Sequence, residues 1–274
     1  MKNKDSSVIS DFGDEWNFYR QDKEDLSIAF NEYFHIFPKE YLNKNSVGFD
    51  MGCGSGRWAK FIAPKVKALN CIEPSKKAIK VAKNNLKNFT NCIYENASAT
   101  NSNLKNKSQD FGYCLGVLHH TNNPQDGLKK CVAKLRKGSP FLLYLYYKFD
   151  NRPKYYYWIW TLTIIPRKII SFLPFKIKLI ITRIISLFIY LPLARTSKLF
   201  KKIGINNENF PLWNYSNKSF YFMQTDSLDR FGTKIEKRYT KIEIVKMMNY
   251  AGLENISFSK KAPYWVALGY KKYK

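Results

Sequence analysis

Three glycines at alternate positions, Gly52, Gly54 and Gly56, follow an acid at Asp50 and a short apolar run, Val47–Met51. No other feature of the chain restricts its fold as much. Residues without a Cβ let the backbone turn sharply and pass against a ligand. A strand that runs into such a turn and then into an amphipathic segment opens a strand–helix–strand unit. Seventeen residues beyond Gly56, where a second apolar run ends, stands Glu73, followed by Pro74. An acid there can accept hydrogen bonds from both hydroxyls of a ribose. Gly54-x-Gly56-x-x-Ala59 satisfies the dinucleotide fingerprint, a weak pattern by itself, and keeps a nicotinamide-dependent oxidoreductase open. The acid-x-Gly-x-Gly-x-Gly order suits instead a cofactor with an amino-acid end and no pyrophosphate, whose ammonium Asp50 can bind.

The chain continues in the same alternation. Val47–Met51, Val66–Ile72, Cys92–Glu95, Phe111–Val117 and Phe141–Tyr147 read as strands. Between them Gly56–Ala63, stopped by Pro64, reads as a helix, as does Ser75–Leu86 with Ser75 as N-cap. Asn123–Lys137 is the third, with Pro124 in its first turn and Gly138 past its end. Strands alternating with helices predict an α/β fold with a parallel, doubly wound sheet. Thr240 and Glu243 have the spacing of a capping box, and the helix they start ends at Gly252. Glu254–Ser259 and Tyr264–Tyr270 then read as two closing strands. The chain thus divides into an N-terminal helical cap (1–45), a cofactor-binding core (46–150), a helical basic-aromatic insertion (151–237) and the end of the core (238–274). Within the insertion, 208–232 carries no strong signal and reads as loop.

A hydrophobic content of 45% over 274 residues is that of a folded globular chain. The formal net charge of +25 is not ordinary. It points to nucleic acid, an anionic membrane surface or a phosphorylated substrate. The excess of Lys over Arg, with abundant Asn, also fits the codon usage of an AT-rich genome. Five scattered cysteines without a CxxC pair argue against a disulfide framework or a zinc site, and no metal is expected. They fit a reducing cytoplasm, and the polar N-terminus carries no secretory signal.

Several segments together resemble the class I S-adenosylmethionine (SAM)-dependent methyltransferase family. DMGCGSGRW (50–58) is similar to its glycine motif, and CIEPS (71–75) to the segment holding its ribose-binding acid. The run from Asp110 through Leu115-Gly116-Val117-Leu118-His119-His120-Thr121 and Asn123-Pro124 is similar to its fourth-strand motif. Gly138 with FLLYLYY (141–147) resembles the segment before its substrate pocket. The resemblance covers 46–150 and 238–274. It implies a Rossmann-like seven-stranded sheet whose last two strands form an antiparallel hairpin, SAM as cofactor, and methyl transfer to a small-molecule acceptor. The implied cofactor residues are Asp50, Gly52, Cys53, Gly54, Gly56, Glu73, Pro74, Asn96, Ala97, Ser98, Leu115 and Gly116. One departure stands out. Where the family often has an Asp after the third strand for the adenine amino group, this chain reads Glu95-Asn96-Ala97-Ser98. The candidate catalytic residues are His120, His119 and Tyr146, with His120 the base if the acceptor is a hydroxyl. The FGDEW start (12–16) and the insertion resemble a subgroup of bacterial small-molecule methyltransferases, some found with surface-glycan genes, which adds glycan-related and lipid-linked acceptors to the expectation.

Residues 151–207 hold eleven Lys or Arg and no acid, interleaved with aromatic and branched apolar residues. No uncharged stretch there reaches the roughly 18–20 residues of a spanning helix, so no transmembrane segment is expected. The favoured reading is a helical lid or dimer cover whose cation stems lie along apolar surface. An amphipathic surface on an anionic membrane is the second, placing the protein in the cytoplasm at the inner face of the membrane. Nucleic acid is third, since no RNA-binding module is recognisable. A catalytically silent binding protein on the same fold is the remaining alternative.

Overall fold

The computed structural model describes residues 6–18 and 23–273; residues 1–5 and 19–22 of the expected cap and the last residue lie outside the described residues. The cap consists of α1 (Ser6–Phe18) and α2 (Lys23–Phe34). Then come β1 (Val47–Met51), α3 (Ala59–Ile62), β2 (Ala68–Ile72), α4 (Lys76–Asn85), β3 (Cys92–Glu95), β4 (Phe111–Leu115), α5 (Pro124–Lys134) and β5 (Pro140–Tyr144). The insertion contributes α6 (Lys154–Leu162), α7 (Ile164–Ser171), α8 (Phe175–Ile185), α9 (Leu191–Lys202) and α10 (Phe220–Gly232). The core closes with α11 (Lys241–Ala251), β6 (Leu253–Phe258) and β7 (Val266–Lys271).

The seven strands form one sheet in the order β3-β2-β1-β4-β5-β7-β6. The first five are parallel, while β7 runs antiparallel to both β5 and β6. This is the expected doubly wound sheet with its closing hairpin. Chain order reverses between β1 and β4, and such a switch point leaves a crevice at the carboxyl ends of the strands. Buried side chains cover both faces, around Phe34, Tyr113 and Leu142 on one side and Leu128, Val132 and Met248 on the other.

Several boundaries fall short of expectation, each for a local reason. α3 starts at Ala59 rather than Gly56, because Gly56 sits at φ +78 and cannot join a right-handed helix. A Cβ at Gly56 would also lie 2.7 Å from Leu86. β4 stops at Leu115, since Gly116 turns at φ +78. α5 ends at Lys134, where the buried Leu135 becomes extended and bridges to Gln109. β5 ends at Tyr144, and Tyr147 pairs instead with Tyr239. The expected caps are present: Ser75 Oγ accepts from Ala78 N, Thr240 and Glu243 form the full capping box, and Gly252 ends α11 at φ +95.

One expectation for the insertion is corrected, and the ground of another is changed. The stretch 208–232, read as loop, contains the 13-residue α10, capped by Ser219, whose side chain accepts from Phe222 N. Its inward side chains include Thr225 and Ser227, so it shows no clean apolar stripe. Second, α8 continues through a π-helical turn (Ser186–Tyr190) into α9. The resulting helix, Phe175–Lys202, is long and apolar enough to cross a membrane by length and composition. Counting uncharged stretches missed it because isolated cations interrupt the sequence without interrupting the helix.

Candidate active site

The glycine turn after β1 is held in place from both sides. Gly52 N and Cys53 N donate to Ile72 O at 2.8 and 3.0 Å. Gly52 lies at φ +77, and a Cβ there would come within 2.4 Å of Val117. Glu73, at the end of β2, accepts from Gly54 N (3.1 Å) through one carboxylate oxygen and from Ser75 N (2.9 Å) through the other. Burial raises its pKa to about 7 in spite of these two bonds. The turn, Glu73 and Pro74, the segment Ala97–Thr100 and the end of β4 line a cavity of about 110 Å³ at the switch point. Val8, Ile9 and Phe12 of α1 close it from the outside.

The structure distributes the expected cofactor residues unevenly. Gly52, Cys53, Gly54, Glu73, Pro74, Ala97, Ser98, Leu115 and Gly116 are on the wall of this cavity. Gly56 packs behind it, against Leu86. Asn96 is off the wall and donates to Glu73 O and Pro74 O, both at 2.9 Å, so it holds the turn after β2. Asp50 is also off the wall. Successive strand residues point to opposite faces, and Met51 takes the cavity side. Asp50 is 1% exposed; burial raises its pKa to about 8, with the Tyr113 hydroxyl and the Arg57 charge pulling it down.

A second, larger cavity of about 320 Å³ lies between the core and the insertion. It shares Phe12, Arg57, Leu115 and Gly116 with the first. Gly116 stands at the neck, where a Cβ would meet no atom within 4 Å. Six cationic side chains line the larger cavity (Arg57, Arg152, Arg167, Lys218, Arg230 and Arg238), against three acids (Glu32, Asp226 and Asp229). Some are paired: Arg230 with Asp226 at 2.6 Å, Lys218 with Glu32 at 2.8 Å, Arg167 and Arg238 with Glu236 at 2.8 and 2.7 Å. Buried donors on the same wall, Arg152 Nε, Trp160 Nε1 and Arg167 Nε, have no protein partner. Tyr33, Tyr144, Tyr146, Tyr147 and Tyr156 add aromatic faces.

Two of the three candidate catalytic residues stand on cavity walls, His120 on the smaller and Tyr146 on the larger. His120 lines the smaller cavity, with its ring 5.1 Å from Phe12 between centroids. Its Nδ1 lies 2.7 Å from Ile235 O, which fixes the proton there and leaves Nε2 as the acceptor. Asp229, on α10, stands 3.5 Å from that Nε2 and takes a hydrogen bond from the Tyr146 hydroxyl through its other oxygen. Burial raises the Asp229 pKa, while His120 lowers it. Burial also pushes the Tyr146 hydroxyl up, opposing ionisation. His119 reaches neither cavity. It is fully buried, stacks on Tyr146 at 3.9 Å, and burial holds its imidazole neutral, well below the usual pKa.

Residues 49–143 match a family described as methyltransferase domain. Its core is a SAM-dependent methyltransferase domain. That match decides the ambiguity of the glycine turn in favour of SAM. No curated protein matches the chain. Among solved structures, a SAM-dependent methyltransferase from Thermotoga maritima is 16% identical, covers 97% of this chain and 100% of its own, and has a TM-score of 0.53. The complex of a Haloferax volcanii methyltransferase activator with its methyltransferase gives 11% identity, coverage of 97% and 98%, and a TM-score of 0.52. At such identities the likeness is one of fold. The smaller cavity fits SAM by its own chemistry: a carboxylate at a strand end for the ribose, backbone brought close at Gly52 and Gly54, and apolar side chains from Ile9 to Leu118.

Sequence reasoning missed Arg57, Asp226, Asp229, Arg230 and Tyr33 as wall residues. Arg57 sits in the quoted motif but has no family role to mark it. The acids and Arg230 lie on the helix read as loop, where Ser219 was the one available signal.

Proposed function

We propose that the protein methylates a small-molecule acceptor carrying an anionic group, held in the larger cavity with its reacting atom beside His120. The observation that carries this reading is the shared wall of the two cavities, with a cation excess and unpartnered donors on the acceptor side. Buried charges and donors need partners, and an oxygen-rich anion supplies them. The tyrosine faces suit a ring, such as a sugar or an aromatic group. When bound, SAM supplies a methyl already activated on a sulfonium. The chain's own residues then align the acceptor, exclude water and accept a proton. His120 Nε2 is the acceptor of that proton; Asp229 stabilises the imidazolium that forms, and Ile235 O fixes the tautomer. A positioned base of this kind contributes about 10²–10⁴-fold.

Incubating the enzyme with cell extract and SAM carrying a deuterated methyl tests the proposal. Labelled products should be retained on an anion exchanger. Label confined to neutral and cationic products would sink the anionic acceptor, and no label with SAM bound would sink small-molecule methylation.

A further inference from the structure

The longest helix of the insertion buries polar side chains among apolar ones and exposes a row of large apolar ones. Over Phe175–Lys202 the face turned to the protein carries Lys178, Thr182, Ser186 and Ser197 beside Leu179, Tyr190 and Ala194, all buried. The face turned away carries Ile177, Ile180, Ile184, Leu187 and Phe188, all exposed. The inner polar groups are satisfied within the protein. Lys178 pairs with Asp11 at 2.7 Å, Ser186 Oγ donates to Thr182 O at 2.8 Å, and Ser227 Oγ of α10 donates to the same carbonyl at 3.1 Å. A helix facing water turns charged and polar residues outward instead of such a row. Large apolar side chains also stand out on α6, on α7 and just past it: Trp158 (65%), Leu162 (78%), Ile165 (71%) and Phe172 (68%). Most of the large apolar side chains exposed among the described residues lie between Tyr155 and Ile205.

This face needs an occupant, and its charge selects one. Lys154, Lys168, Lys176, Lys198, Lys201 and Lys202 are all exposed, and 151–207 contains no acid. A second copy apposed by a two-fold axis would bring this cationic patch against itself. A spanning arrangement is opposed by the inner face, which α10 and Asp11 already hold along the protein. An anionic bilayer surface satisfies both features: apolar side chains enter the headgroup boundary while the lysines meet lipid phosphates. Ile159 and Ile189 belong both to this exposed face and to the wall of the larger cavity. We infer that 151–207 docks its outer face on an anionic membrane, which brings the mouth of that cavity to the lipid surface. Presentation of the acceptor from the membrane rests on the function proposed above; the docking itself does not.

Co-sedimentation of the full-length protein with phosphatidylcholine vesicles, with and without phosphatidylglycerol, tests the docking without any methyl transfer. Its failure therefore leaves the acceptor chemistry standing, and the reverse also holds. Binding is expected to the anionic vesicles, weakening with salt, and to be slight with neutral ones. One surface lysine is worth about five-fold in affinity. Replacing Lys168, Lys176, Lys198, Lys201 and Lys202 with Gln should weaken binding by about a hundred-fold or more. Leu162→Ser with Ile165→Ser should weaken it independently, and calorimetric SAM titration checks that each variant is folded. Brominated acyl chains should quench the fluorescence lost in Trp158→Phe. No binding to anionic vesicles at low salt overturns the inference. So does a discrete dimer that Leu162→Ser and Ile165→Ser dissociate while vesicles go unbound, which assigns the face to a second copy. Binding that is indifferent to both serine substitutions, with no quenching of Trp158, overturns insertion of the apolar face.

Discussion

The catalytic core and the insertion differ in what their helices leave exposed. In the core, α5 hides Leu128, Cys131 and Val132 and turns Lys129 and Lys130 to solvent, while β4 and β5 are buried along their whole length. In the insertion, the helix Phe175–Lys202 hides Lys178, Thr182 and Ser186 together with Leu179, Tyr190 and Ala194, and shows isoleucines. Both segments are amphipathic. What differs is which stripe finds partners inside the protein. Carbonyls of the helix itself and of α10 satisfy the hydroxyls, so polar side chains can lie on the inner face and leave large apolar ones outside. A periodic pattern thus defines two faces, and the partner decides which of them turns inward.

The largest effect is expected where the two regions meet. His120→Ala should lower turnover by about 10²–10⁴-fold and leave SAM affinity within a few-fold. Asp229→Asn sharpens the comparison, because the core supplies the base and the insertion supplies its partner. Full turnover in Asp229→Asn would show that the core works without α10. Next in size, Leu128→Ala should cost about 2–5 kcal/mol of stability in urea unfolding, as a truncation in a packed core does.

Glu73→Ala should weaken SAM binding by about 1.5–3 kcal/mol, the loss of hydrogen bonds to a charged acceptor. Its pH dependence has a definite sign. Burial raises the carboxyl to about 7 from an ordinary 4.5, so it is neutral below that pH. Affinity for SAM should therefore fall as the pH drops through about 7, by up to about tenfold per unit, and Glu73→Gln should flatten the profile. The same shift makes the contribution of this group to folding stability largest below about pH 4.5 and lost as the pH rises through about 7. A flat SAM-binding profile in the parent protein would remove Glu73 from the ribose site. The smallest effect belongs to the outer face of the insertion. Ile165→Ser should change unfolding stability by no more than about 0.5 kcal/mol, because its side chain is already 71% exposed. A loss comparable to that of Leu128→Ala would mean that this face is packed in solution and would break the contrast between the two regions.

The sequence by itself determined the sheet, the glycine turn and most of the cofactor cavity. These depend on local chemistry: strand periodicity, a Cβ that cannot fit at Gly52, a capping box at Thr240, an acid where β2 ends. Even the direction of the Asp50 side chain follows from strand alternation, though only with Met51 known to face the cavity. The acceptor cavity was not legible in this way. Its wall gathers Tyr33 from α2, Arg57 from the glycine turn, Tyr146 from beyond β5 and Asp229 from α10, residues whose spacing along the chain carries no common period. The inward turn of Lys178 and Thr182 was equally hidden, because it depends on Asp11 and on α10, which lie far from them in sequence. Residue patterns fix what a segment can form with its own neighbours. Which distant segment satisfies its hydrogen bonds and charges, and so which face it buries, is set only when the chain has folded.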